Sequence, residues 1–394
     1  MLAMVATGAN AKSATDSATI AKNKPVFTVV KQNPITSIKD QNRSGTCWAY
    51  STLSYFESEI LKHTGKTYDL SEMFVANKTY MDRATMAVRM HGDVSFSQGG
   101  SAYDVLYALQ HYGIVPEGAM PAPGTLTGDS LANFGEFFDV MTPYVEAVAK
   151  SNAKKISSAW KSGLQGIIDS YIGKTPEKFT YQGKQYTPQS FCQSLGLNLD
   201  DYVTITSYTH HPMWSKFAVE VQDNWRWPLS YNVPMDDLCK IIDNAINNGY
   251  TVAWGGDVTE DGFTRKGLGI AYDVKKVRSM AGTDADHWFK LSKDEKKEKF
   301  DSLGVNAPEV VPTQAMRQEA FDNWETTDDH GMHIYGIAKD QNGKEYYMVK
   351  NSWGEYGDYK GTWYMTKAFV AYKTMDFMVN KNAIPKDIRK KLGI

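Results

Sequence analysis

The chain has 394 residues, 42% of them hydrophobic and 12% aromatic, and a formal net charge of −2. That length can bury one large core or two to three smaller ones. The near-neutral charge, with no long basic run outside the C-terminus, argues against nucleic acid as the main partner, and no apolar stretch is long enough to span a bilayer.

Met1 to Ala11 is small and apolar and ends in Ala9-Asn10-Ala11, a pattern that signal peptidases cut, although it lacks a basic n-region. Residues 1–11 therefore read as the tail of a truncated signal peptide. Export, to a bacterial periplasm, is expected, with a cytoplasmic location as the alternative. Residues 12–25, rich in Ser, Ala, Thr and Lys, read as a flexible segment, and Phe27 to Val30 as a short strand.

The run Gln41-Asn42-Arg43-Ser44-Gly45-Thr46-Cys47-Trp48 joins a turn to an amphipathic helix. Ala49, Leu53, Phe56 and Ile60 recur at helical spacing, and Ser44, Gly45 and Thr46 are turn and N-cap residues. Cys47 then sits at a helix N-terminus, where the macrodipole and free N–H groups lower a thiol's pKa and make it a nucleophile. Gln41 lies just upstream, where its amide can fold back toward the sulfur as a neutral donor of the kind an oxyanion hole needs. Taken alone, Cys47 could equally be a small core residue.

Helices are expected from Ser71 to Arg89 and from Ala102 to Tyr112, the latter closed by Gly113. Between them, Gly92 to Gly100 is a loop ending in Ser97-Gln98-Gly99-Gly100. From about 121 to 200 Pro and Gly clusters give way to helix-like runs (131–149, 153–172), read as a helical insertion. Tyr202 to Thr206 and Tyr250 to Trp254 read as strands, Met235 to Asn248 as an amphipathic helix closed by Gly249, and Lys290 to Phe300 as a charged surface helix. Cys192 and Cys239 fit core positions; three widely spaced cysteines form neither a disulfide framework nor a zinc pattern.

Asp328 to Ala338 and Glu345 to Lys350 read as two strands joined by a turn containing Asn342-Gly343, a strong hairpin signal. The hairpin brings His330 and Asn351 to one end of neighbouring strands. Asn351 can then hold one imidazole nitrogen and leave the other facing a thiol. Alternation puts His330 and His333 on opposite faces, so only one can meet Cys47, and periodicity does not choose between them.

Taken together, Gln41-x5-Cys47-Trp48, His330-Gly331-Met332-x3-Gly336 and Asn351-Ser352-Trp353-Gly354 resemble the papain superfamily of cysteine peptidases. The small residue after His330 and the glycine at 336 fit that pattern, and His333 does not. The resemblance implies Cys47 as nucleophile, His330 as general base and acid, Asn351 as orienter, Gln41 and the Cys47 N–H as oxyanion donors, and Trp353 as a shield over the His–Asn bond. It implies substrate binding by Gly99, Gly100, Trp48 and Trp353. Ser44 stands where secreted members carry a further cysteine, and the chain between Cys47 and His330 is far longer than usual. Both departures resemble the bleomycin hydrolase and aminopeptidase C branch, as do the segments around Tyr231–Met235, Gly256–Val258 (with Asp257 as a further binding residue) and Ala383–Pro385.

The resemblance implies an α+β, papain-like two-lobe fold: a helical lobe over 26–120, the insertion over 121–200, a β-barrel-like lobe over 201–380, and a C-terminal arm over 381–394. In that branch the arm lies in the cleft, so that the carboxylate of Ile394 would pair with a peptide's α-ammonium, and the assembly is a hexamer. The Lys390-Lys391-Leu392-Gly393-Ile394 ending departs from the branch's small-residue tail. The expected activity is therefore a cysteine aminopeptidase acting on peptides without cofactor or metal. The alternatives are an endopeptidase of the same fold and an inactive scaffold. A metal hydrolase built on His330/His333 or His210-His211 is disfavoured, because no helical Glu-rich ligand set accompanies either pair.

Overall fold

Ala49, Leu53, Phe56 and Ile60 place one helix, Cys47–Thr64, at the centre of the molecule, and all four side chains are fully buried. The structure, a computed structural model, describes residues 24–123, 131–276, 292, 295 and 302–394. The leader-like segment 1–11, nearly all of 12–25 and most of the expected helix 290–300 lie outside the described residues. Gly65 ends the central helix in the left-handed conformation (φ 69°), and its N–H reaches the Leu61 carbonyl at 2.9 Å. Glu57 is buried on this helix because it is fully partnered: it accepts from the Leu70 N–H at 2.8 Å and from the Thr36 hydroxyl, and lies 3.6 Å from Lys39 Nζ.

Helices Glu72–Arg89 and Ala102–His111 pack on the central one. Ser71 caps the first, its Oγ accepting from the Phe74 N–H at 3.1 Å. The insertion adds Gly135–Ala149, Ala159–Tyr171 and Pro188–Ser194. It is not wholly helical. Phe179–Tyr181 and Lys184–Tyr186 form a hairpin whose turn residues Gln182 (φ 49°) and Gly183 (φ 77°) are both left-handed. This corrects the expectation of helices alone; Gln-Gly is a weaker turn signal than the Asn-Gly of the later hairpin. Nor does the insertion have a core of its own. Phe137, Met141, Leu164, Ile168 and Phe191 join Leu53 and Phe56 in one apolar cluster.

The second lobe is built on a mixed sheet with Val252–Gly256 near its middle, flanked by Thr374–Asn380 and His330–Lys339. Beyond His330–Lys339 come Glu345–Lys350 and Thr362–Thr366; beyond Thr374–Asn380 come Tyr202–Thr206 and Ser230–Asn232. Helix Met235–Asn247 covers the sheet with Leu238, Ile241, Ile242, Ala245 and Ile246, all fully buried. These pack with Trp254, Met332, Ile334 and Trp363 in a second cluster. The two clusters define two lobes, and the Cys47 helix and the His330 strand face each other between them. Among the described residues no helix is long and apolar enough to cross a membrane.

The C-terminal segment does not enter the cleft between the lobes. Helix Lys386–Leu392 buries Ile388 and Leu392 in the second cluster, Ile394 packs beside them, and the Ile394 N–H bonds the Arg389 carbonyl at 3.1 Å. The expected role of Ile394 is corrected accordingly: apolar burial takes the arm to the sheet lobe, away from the cleft.

Candidate active site

A cleft of about 390 Å³ opens where the N-terminus of the Cys47 helix meets the start of the His330 strand. Cys47 is the first residue of its helix, and the Gly331 and Trp48 backbone N–H groups are directed at its sulfur. Gly331 permits this approach. A Cβ there would lie 2.7 Å from Ser51 Oγ and 3.3 Å from Trp48 Cα, so a larger residue would push strand and helix apart. His330, immediately before Gly331, lines the same cleft.

The hairpin fixes the imidazole. His333 pairs with Lys350 and the ladder ends there, which leaves His330 beside Asn351. His330 Nε2 lies 2.8 Å from Asn351 Oδ1, which also accepts from the Ser352 N–H at 2.8 Å. Two donors on one oxygen orient the amide and put the imidazole proton on Nε2, leaving Nδ1 as the free base. The Trp353 ring lies 5.0 Å from the imidazole, centroid to centroid, and shields the bond. His333 faces the other way. It is fully buried, with Nδ1 2.9 Å from Ser54 Oγ on the central helix. The structure thus makes the choice that strand alternation left open.

Gln41 lines the cleft beside Cys47. Ser352 Oγ donates to Gln41 Oε1 at 2.6 Å, and the Gln41 N–H bonds the Ser352 carbonyl at 2.8 Å. With its carbonyl held, the Gln41 NH2 is free to donate into the cleft. The Gln41–Thr46 loop is braced from the insertion by three bonds, Arg43 N–H and Asn42 Nδ2–H to Ala132 O and Phe134 N–H to Arg43 O. Ser44 is fully buried, its hydroxyl 2.5 Å from that of Thr46.

The Ser97–Gly100 loop forms the opposite rim. Its carbonyls are tied to Trp48 Nε1 and Tyr80 (both to Gln98 O, 3.1 Å) and to Arg83 (Gly99 O, 2.5 Å). A Cβ on Gly100 would strike the Trp48 ring at 2.8 Å, and one on Gly99 would overlap the Asp223 carboxylate. Trp48 therefore works mainly as the anchor of this loop. Asp257 is not part of the cleft lining. Its buried carboxylate is consumed by the Thr259 N–H and hydroxyl and by the Thr327 N–H. The expectation that it binds substrate is corrected: it ties two loops together.

Burial dominates the electrostatics. It pushes the Cys47 thiol up to about 12, assisted by the carboxylates of Asp328 and Asp223 and opposed by the Gly331 and Trp48 N–H groups. Burial likewise holds His330 down at about 4, against the pull of Asn351. The helix terminus alone does not lower the thiol, because desolvation outweighs it. A lone thiolate and a lone imidazolium are both disfavoured. A proton passing from sulfur to imidazole creates both charges together, each the other's counter-ion, which relieves both penalties.

Four carboxylates that the sequence analysis did not single out also line the cleft: Asp223, Asp328, Asp329 and Asp376. Asp223 is paired with Arg83 at 3.1 Å and Asp376 lies near Ser230 Oγ at 3.5 Å. Asp328 sits two residues before His330 and was visible beside it. Asp376 lies on a strand with no clear local signal, and Asp223 in an irregular segment.

This geometry is that of a thiol hydrolase, and the chain matches the Peptidase C1-like family over residues 1–307 and 303–393. The chain belongs to that family. It is similar to aminopeptidase G of Lactobacillus delbrueckii subsp. lactis, 23% identical over 91% of this chain and 84% of that protein. Aminopeptidase C of Lactobacillus helveticus is 24% identical over 92% of this chain and 85% of its own length, and human bleomycin hydrolase 22% over 94% and 86%. Among solved structures, pepw of Lactobacillus rhamnosis hn001 superposes with a TM-score of 0.69 at 19% identity, covering 100% of this chain and 96% of that one. The papain-like two-lobe fold expected from the motifs is the fold of this cysteine peptidase.

Proposed function

We propose that this peptidase is an aminopeptidase that removes N-terminal residues from peptides through a thioester. The observation that carries the proposal is the meeting of Cys47, at its helix N-terminus, with the Asn351-held His330 in one cleft. Cys47 gives its proton to His330 Nδ1 and attacks the scissile carbonyl. The oxyanion is held by the Gln41 NH2 and the Cys47 N–H. His330 protonates the leaving amine, which departs, and then takes a proton from water, which hydrolyses the thioester and restores the thiol.

Removal from the N-terminus is supported by the similarity to aminopeptidases G and C and by charge. Asp223, Asp328, Asp329 and Asp376 line the cleft, and burial pushes the carboxyls of Asp328 and Asp376 up, a penalty that a bound α-ammonium would relieve. Gly99 and Gly100 line the cleft, where substrate backbone would run beside them. One observation favours a second reading, an endopeptidase of the same fold: the C-terminal residues pack on the sheet lobe, so Ile394 does not block the cleft. Asp328→Asn separates the two. An aminopeptidase loses affinity for free-amine peptides, whereas an endopeptidase cuts N-blocked peptides as before. Cys47→Ala must abolish either activity; turnover persisting in that variant would end both readings.

Assembly into a hexamer and export belong to the same proposal. Val29 and Val30 on the edge strand Thr28–Gln32, with Val26 just before it, are exposed and support a covered surface. Light scattering of the full chain and N-terminal sequencing of the protein from its native cells test these two points.

A further inference from the structure

The His210-His211 pair, set aside in the sequence for want of a third ligand, gains one in the fold. Glu220 comes back beside the pair, with one oxygen 3.0 Å from His210 Nε2 and the other 3.0 Å from His211 Nε2. The three ligand atoms all lie within 4.8 Å of one another. Neighbouring ligand atoms on a tetrahedral zinc ion stand about 3.3 Å apart, given bonds of about 2.0–2.1 Å. The group is thus close to a ligand set before any ion arrives.

The surroundings fix the rings. His211 stacks on Phe217 at 4.2 Å and 20°, and His210 lies parallel to Phe321 at 5.8 Å and 14°. Gln318 lies against His210 Nδ1, with Nε2 at 3.0 Å and Oε1 at 3.3 Å. Such an outer partner directs Nε2 to the shared point and can accept the Nδ1–H that a metal-bound imidazole carries. The site is open to solvent: the side chains are 29%, 38% and 53% exposed for His210, His211 and Glu220.

We propose that His210, His211 and Glu220 bind a divalent transition ion of the zinc type, with water completing the shell. Two imidazoles and one carboxylate are a borderline-soft donor set, suited to zinc and unlike the all-oxygen sets of calcium or magnesium. The ion replaces the hydrogen bonds now made to Glu220; each neutral imidazole keeps its proton by moving it to Nδ1. The role is structural. Val219 and Val221, on either side of Glu220, line the catalytic cleft. An ion here ties that wall to the His210–His211 turn, which Gln318 already joins to helix Gln314–Asp322.

The test uses the full chain with Cys47→Ala, which removes the cleft thiol as a competing ligand. Calorimetric titration with zinc should show one ion per chain, weakened about 10-fold or more by His211→Ala. Zinc should raise the melting temperature of Cys47→Ala and not that of Cys47→Ala with Glu220→Gln. The second variant keeps the shape of a half-exposed side chain and guards against a folding defect in the first. Absence of binding at millimolar zinc would overturn the proposal, as would binding and stabilisation that neither substitution changes.

Discussion

His330 Nε2 stands 2.8 Å from Asn351 Oδ1, an oxygen that already accepts the Ser352 N–H. The amide's Nδ2 has no partner among the described residues. Asn351→Asp therefore keeps both acceptor bonds and places an anion beside the imidazole. Since an adjacent anion favours imidazolium, the His330 pKa rises from its depressed value, and the acid limb of kcat/KM moves to higher pH. Asn351→Ala lowers kcat without removing it, because sulfur and base remain. The full pH profile of each variant checks both statements.

Gln41→Ala removes the side-chain oxyanion donor and should cost about 10²–10³ in kcat. Ser352→Ala leaves that donor but frees its carbonyl, so the loss is smaller and falls on kcat more than on KM. Steady-state kinetics on one peptide series separates the two. Equal losses would mean that Ser352 acts otherwise than by orienting Gln41.

Gly331→Ala sets a methyl against Ser51 Oγ at 2.7 Å and Trp48 Cα at 3.3 Å. The strand must shift, carrying His330 with it, and kcat falls. Ser51→Ala removes the nearer obstacle and should recover part of that loss in the double variant. The cycle of four enzymes measures this coupling, and strict additivity would contradict the contact.

His333 is buried and its pKa lies well below the ordinary value through desolvation, with Lys350 adding to the effect. Above the unfolded-state value near 6.5 both states are neutral there. As pH falls below it, the unfolded chain takes up a proton that the folded one refuses, so stability is lost. His333→Phe removes this loss. The wild-type minus variant difference in unfolding free energy should therefore fall by up to about 1.4 kcal/mol per pH unit below pH 6.5. Taking the difference cancels the opposing contributions of raised carboxyls such as Glu59 and Asp376. Denaturant titrations at several pH values supply it.

Much of the site was legible because its parts carry local signals. The four-three-four spacing of Ala49, Leu53, Phe56 and Ile60 placed the Cys47 helix, and Asn342-Gly343 placed the hairpin that delivers His330 and Asn351. What was not legible depends on long-range contact. Asp257 looked like a cleft residue until Thr259 and Thr327 were seen to use its carboxylate. Ile394 looked like a cleft residue until Ile388 and Leu392 took the arm to the sheet lobe. The lowered thiol pKa expected of a helix terminus ignored desolvation, which only packing reveals. The Gln182-Gly183 hairpin was missed because its turn residues signal weakly.

The most direct test of the account is a mass-spectrometric time course on an unmodified peptide and its N-acetylated twin, with Cys47→Ala as control. The account predicts stepwise loss of N-terminal residues from the free peptide, an intact acetylated twin, and no change with Cys47→Ala. Internal cuts in both peptides would contradict it and make the open cleft that of an endopeptidase.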